Sequence, residues 1–128
     1  MTYYFAKTVK SGFDDAIAKV TEELKKEGFG VLTEIDVQDT LKKKLGVEFR
    51  KYRILGACNP PSAYEALKAE DKIGLMLPCN VVVQEMAGGE VEVSAIDPVA
   101  SMLAVENPSL EDTARQVRER LQRVISRL

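Results

Sequence analysis

Two cysteines open the question of chemistry, because each sits in a similar setting. Cys58 lies in Cys58-Asn59-Pro60 and Cys79 in Pro78-Cys79-Asn80, so each thiol precedes an asparagine and adjoins a proline turn. The first cysteine ends an apolar, strand-like run and the second begins one. If those two strands are antiparallel neighbours, the thiols meet at one edge of a sheet. Ala87-Gly88-Gly89-Glu90 reads as a hairpin turn between strands 80–86 and 91–95. Pairing Met86 with Val91 then sets Gln84 against Val93, Val82 against Ala95 and Asn80 against Asp97. Most apolar residues fall on one face in this register, although Glu85 opposes Glu92. Cys58, Asn59, Cys79, Asn80 and Asp97 converge under it, and these five are the candidate site.

Several chemistries are open to such a corner. A helix starting at Pro60 offers free backbone N–H groups near Ser62 and Ala63, which suit an anion. Its dipole favours the thiolate of Cys58, while Asp97 opposes it. The chain has no His. Ser-His-Asp and Cys-His mechanisms are therefore excluded, and the thiol lacks an evident general base. A dithiol redox pair of Cys58 with Cys79 needs no base and survives that objection. Zinc needs more ligands than two thiols and one carboxylate, and copper(I) has no supporting motif, so neither a metal nor a cofactor is expected. Against all of these stands a purely structural reading: free cysteines are often inert core residues, Asn59 suits a helix cap, and Asp97-Pro98 suits a strand stop.

The elements that must position this corner follow from the spacing of apolar residues. Residues 3–9 read as a strand. Ser11-Gly12-Phe13-Asp14 resembles a capping box, and Phe13, Ile17, Val20 and Leu24 form a helical stripe ending near Gly28. Residues 31–35 read as a second strand. Asp36 caps a short helix with Val37, Leu41 and Leu45 on one side, ended by Gly46; its Lys42-Lys43-Lys44 run complements the helix dipole. Residues 51–58 form a third strand, and a short helix follows with Ala63, Leu67 and Tyr64 facing inward. After residues 80–86 and 91–95, Leu110, Ala114, Val117, Leu121, Val124 and Leu128 form an apolar seam on the last helix. That seam suits packing across a sheet better than a coiled coil of fewer than three heptads. The five arginines of this helix read as solubilising charge spread around it.

The remaining composition bounds the classes. One domain spans the 128 residues, 45% of them hydrophobic and 30% charged, with a net charge of -2. No basic excess points to nucleic acid. No apolar run is long enough for a membrane span, and no signal peptide is evident. Two cysteines are too few for a disulfide scaffold, so a reduced cytoplasm is the expected compartment.

Several segments resemble the prokaryotic domain-of-unknown-function family numbered 302. They are residues 28–36, Leu41-Lys42-Lys43-Lys44-Leu45-Gly46, residues 52–60, Leu77-Pro78-Cys79-Asn80-Val81 and Ala95-Ile96-Asp97-Pro98. The resemblance covers nearly the whole chain. It implies a small α+β domain with a TATA-binding-protein-like order: strand, helix, four further strands, helix. It implies no DNA binding and carries no catalytic residue with it.

The expected fold is thus α+β: a curved, mainly antiparallel five-stranded sheet with two long helices, residues 12–27 and 109–127, on one face and two short helices. The expected function is binding of a small molecule, an anion included, or of a partner at the cysteine corner. A thiol redox enzyme and a structural or interaction module are the alternatives. A homodimer is expected, because the uncovered sheet face is read as carrying Leu55, Val81, Val83 and Ile96, a patch that needs a partner.

Overall fold

A computed structural model describes residues 2–128 of the chain. β1 (Tyr4–Val9) leads into α1 (Phe13–Lys26), which carries the chain to β2 (Gly30–Asp36). Next come α2 (Val37–Leu45), β3 (Tyr52–Cys58), α3 (Pro60–Ala69), β4 (Cys79–Glu85) and β5 (Val91–Ile96). The chain ends with α4 (Pro98–Ser101) and α5 (Glu111–Ser126). Single 3-10 turns lie at Ile73–Met76, Leu103–Val105 and Pro108–Leu110. The strands form one sheet in the order β1-β5-β4-β3-β2, and every neighbouring pair is antiparallel. β1 and β2 are thus the two edges, and α1 is the crossover between them.

Local signals fix most boundaries. The Asp36 side chain caps α2 by accepting from Asp39 N at 3.0 Å, and Gly46 closes that helix in the left-handed conformation. Asn59 caps α3, with Pro60 and Pro61 in its first turn. The capping box expected at Ser11 is not made: Gly12 is the cap residue of α1 and no side chain bonds there. The helix begins one residue later than that box requires.

Both long helices cover one face of the sheet, as their single apolar stripes demand. Val20 and Leu24 of α1 and Leu121 and Val124 of α5 are fully buried against Leu55, Val81, Val83 and Val93. This corrects the expectation for the opposite face. Leu55, Val81 and Val83 are 0–1% exposed beneath the helices. The uncovered face instead carries a row that crosses all five strands: Ala6, Ser94, Val82, Ile54 and Ile35.

The hairpin between β4 and β5 also differs from the expected register by one residue. Met86 N donates to the Glu90 carbonyl at 2.7 Å, and Gly89 N donates to the Met86 carbonyl at 2.9 Å. Gly89 has a φ of 87°, where a side chain is strained. The loop is therefore three residues closed by a left-handed glycine, not four. Glu85 pairs with Val91, Val83 with Val93 and Val81 with Ala95. Every inward residue now faces an inward partner, which a one-residue slip would undo.

Candidate functional site

At the end of β3, the start of β4 and the first turns of α3 and α5 lies a cavity of about 320 Å³. Phe29, Ala57, Ala66, Cys79, Pro98, Leu110, Ala114 and Val117 form its buried walls. Leu32, Thr33, Cys58, Ser62, Ala63, Leu67, Leu77, Pro78, Met102 and Thr113 are the more exposed residues around it. Among the described residues, no charged side chain lines it. Apart from Asn59, every side chain of the buried wall is hydrocarbon or thiol.

The two cysteines behave as the antiparallel pairing of their strands predicts. Ala57 pairs with Cys79, so Cys58 is one position removed along β3. Both thiols line the cavity, with no disulfide between them. Cys79 is buried and Cys58 is half-buried. Burial, and secondarily the nearby Cys58, pushes the Cys79 thiol up to about 11. At neutral pH Cys79 is therefore protonated, which disfavours thiol–disulfide exchange, since exchange proceeds through a thiolate.

Asn59 is buried with both ends of its amide engaged. Its Oδ1 accepts from Ser62 N at 3.2 Å and its Nδ2 donates to the Glu27 carbonyl at 3.3 Å. The Asn59 carbonyl accepts from Ala63 N at 2.9 Å. The N–H groups of Ser62 and Ala63 are thus already bonded, and neither is free to bind the anion foreseen for this helix terminus.

The other two candidates do not line this cavity. Asn80 pairs with Gly56 and lies exposed on the uncovered face, while Cys79 faces the helices. Asp97 is buried, but it caps α4 through Val99 N at 2.9 Å and pairs with Arg118 Nε at 3.2 Å. Of the five expected site residues, Cys58, Asn59 and Cys79 line the cavity; Asn80 and Asp97 do not.

Gly56 allows the wall beside Cys58 to close. A Cβ at this position would overlap Thr33 Oγ1 and come within 2.7 Å of Pro78 Cγ. Both neighbours are cavity residues, so the missing side chain is what lets them approach across β3.

A second polar cluster braces the site from behind. Glu27, buried at the end of α1, accepts from Arg123 and Arg127 of α5 at 2.9 and 2.7 Å. The Arg123 hydrogen bond holds this carboxyl below its ordinary range; burial opposes the effect and Arg127 reinforces it. The Glu27 carbonyl accepts from Arg120 at 3.0 Å as well as from Asn59. These arginines are not only solubilising charge. They tie α1, α5 and the cap of α3 together beside the cavity. Their spacing of three and four residues already placed them on one face of α5.

The remaining wall was not legible from the cysteine motifs. Ala66, Met102, Leu110, Thr113 and Ala114 come from distant segments and carry no chemical signature. Among the described residues, no three Cys, Asp or Glu side chains cluster as metal ligands do. No helix of the described residues is long and apolar enough to cross a membrane.

Comparison with known proteins gives the same architecture. A crystal structure of an uncharacterized conserved protein DUF302 from Bacillus stearothermophilus is 30% identical, with a TM-score of 0.92 over 99% of this chain and 98% of that one. No curated protein matches the chain. The family model described as Domain of unknown function DUF302 matches residues 5–128. By that match the chain belongs to the DUF302 family, whose function is unassigned.

Proposed function

We propose that this domain binds a small apolar molecule in the cavity between β3, β4, α3 and α5. One observation carries the reading. In a chain of which 30% is charged, nineteen residues line the cavity and none is charged. A space of about 320 Å³ falls at the lower end of small-molecule sites, whose walls are mostly apolar with a few placed polar groups. Here the available polar groups are the hydroxyls of Thr33, Ser62 and Thr113 and the thiol of Cys58. Apolar contact supplies the affinity, at about 0.8 kcal/mol for each methylene removed from water.

The test is displacement of a solvatochromic apolar dye. The wild-type protein brightens the dye, and an apolar competitor reverses the signal. Alkylating Cys58 before dye addition lowers the amplitude, because the adduct occupies the cavity. A dye signal that is absent, or unchanged by the adduct, refutes the reading.

A partner is proposed as well: a second copy of the chain, packed on the uncovered sheet face. The row Ala6, Ser94, Val82, Ile54 and Ile35 bears no charge, so it does not repel its own image across a two-fold axis. Light scattering reads the outcome. A mass of twice 14.2 kDa that falls to the single-chain value in Ile54→Glu supports the dimer, and a wild-type mass of 14.2 kDa rejects it.

A further inference from the structure

A second cavity, of about 480 Å³, adjoins the first, and three residues line both: Met102, Leu110 and Ala114. Their capacity to move differs. Ala114 belongs to α5, and Leu110 is buried in the turn that precedes it. Met102 is half-buried and follows α4. Its backbone is fixed, since its N–H donates to the Pro98 carbonyl at 3.1 Å and its carbonyl accepts from Val105 N at 3.1 Å. Its side chain is unbranched, with three rotatable bonds and no polar group to anchor it. Met102 is thus the movable part of the shared wall.

The two spaces differ in chemistry. The first has no charged wall residue, whereas Arg115, Arg118, Glu106 and Glu111 line the second. Arg118 uses Nε on Asp97, and Arg115 pairs with Asp112 through one nitrogen. Each guanidinium retains further donors.

We propose that Met102 is the partition that sets ligand length, and that the ligand is a linear amphiphile. Its hydrocarbon tail fills the first cavity. Its polar head passes Met102 into the charged second cavity. This rests on the binding reading above and adds the ligand class and the residue that selects it. A compact apolar ligand would leave the second cavity unused. A chain longer than the first cavity must displace the Met102 side chain, and its head then meets groups able to hydrogen-bond it.

Straight-chain alkanols from hexanol to tetradecanol, competing with the dye, provide the test. In the wild type, affinity rises about fourfold for each added methylene while the tail lengthens inside the cavity, and then levels off. Met102→Ala moves that break to longer alcohols by two or more carbons. Met102→Leu, close in volume, leaves it in place. Circular dichroism confirms that each variant is folded. If the wild type binds alkanols but Met102→Ala leaves the break unchanged, the partition is overturned while the binding reading stands. If the wild type binds no alkanol although the dye binds, the amphiphile class is overturned. If it binds neither, both fall together.

Discussion

Ala66→Leu puts the cavity itself to a test of sign. Ala66 is 3% exposed on α3 and lines the cavity. The substitution adds three carbons. If they enter empty space, burial contributes about 2.4 kcal/mol at 0.8 per methylene. Ordering the leucine side chain costs about 0.5–1 kcal/mol, and its slightly poorer helix propensity about 0.2. The net is a stabilisation of about 1–2 kcal/mol, or roughly 3–6 °C in Tm for a domain of this size. The same substitution at Ala95 is the control. Ala95 is 1% exposed in the packed core between sheet and helices, so the added carbons overpack it and destabilise by about 1–3 kcal/mol. Thermal unfolding by circular dichroism reads both variants, and dye binding reads the ligand site. Ala66→Leu is expected to raise Tm while weakening the dye signal. A fall in Tm comparable to that of Ala95→Leu would mean the space beside α3 is already filled, and the argument for a ligand there would collapse.

Other outcomes follow from the polar groups and the sheet. In a native alkylation time course Cys58 labels and Cys79 does not, because Cys79 is buried with its thiol pushed to about 11; denaturant exposes both, and equal native labelling would contradict this. Glu27 is held below its ordinary value near 4.5, so its contribution to stability is complete above that pH and is lost as pH falls through the lower folded value. The Tm gap between wild type and Glu27→Gln should therefore be widest near neutrality and narrow below pH 4.5; a gap that widens on acidification reverses the sign. Gly56→Ala should lower stability by about 1–3 kcal/mol in urea unfolding, since Thr33 and Pro78 must both retreat, and an unchanged midpoint would show that they are not held against β3.

What was legible in the sequence was whatever is written locally. Asp36 and Asn59 announce helix starts because a short acceptor side chain satisfies a nearby N–H, and that needs no tertiary information. The seam from Leu110 to Val124 announces a buried stripe in the same way. The hairpin register was less secure. Gly88 and Gly89 mark a turn, but whether the loop holds three or four residues depends on Gly89 alone adopting a positive φ. That single residue bears on which β4 residue opposes which on β5; Cys79 faces the helices because it alternates in step with buried Val81 and Val83. The cavity was not legible, because its walls come from α3, α5 and the turns around Met102, and apolar residues at helical spacing look the same whether they fill a core or leave a gap. Glu27 was not legible either: the five arginines of α5 read as charge spread around the helix, and only the fold shows that Arg120, Arg123 and Arg127 share the side that meets the end of α1.

The position of β1 bears on the order in which the chain assembles. β3–β4 and β4–β5 pair segments that follow one another closely. β1 must instead find β5: Val9 pairs with Val91 and Tyr4 with Ile96, so each of these contacts closes a loop of more than 80 residues. Closing such a loop costs about 2–3 kcal/mol more chain entropy than closing a short hairpin, before any contact is made in return. During synthesis the first strand emerges before β5 and waits until about two-thirds of these 128 residues have followed it. It completes the sheet late, and until it does, β5 presents an unpaired edge of backbone N–H and C=O groups open to strands of other chains.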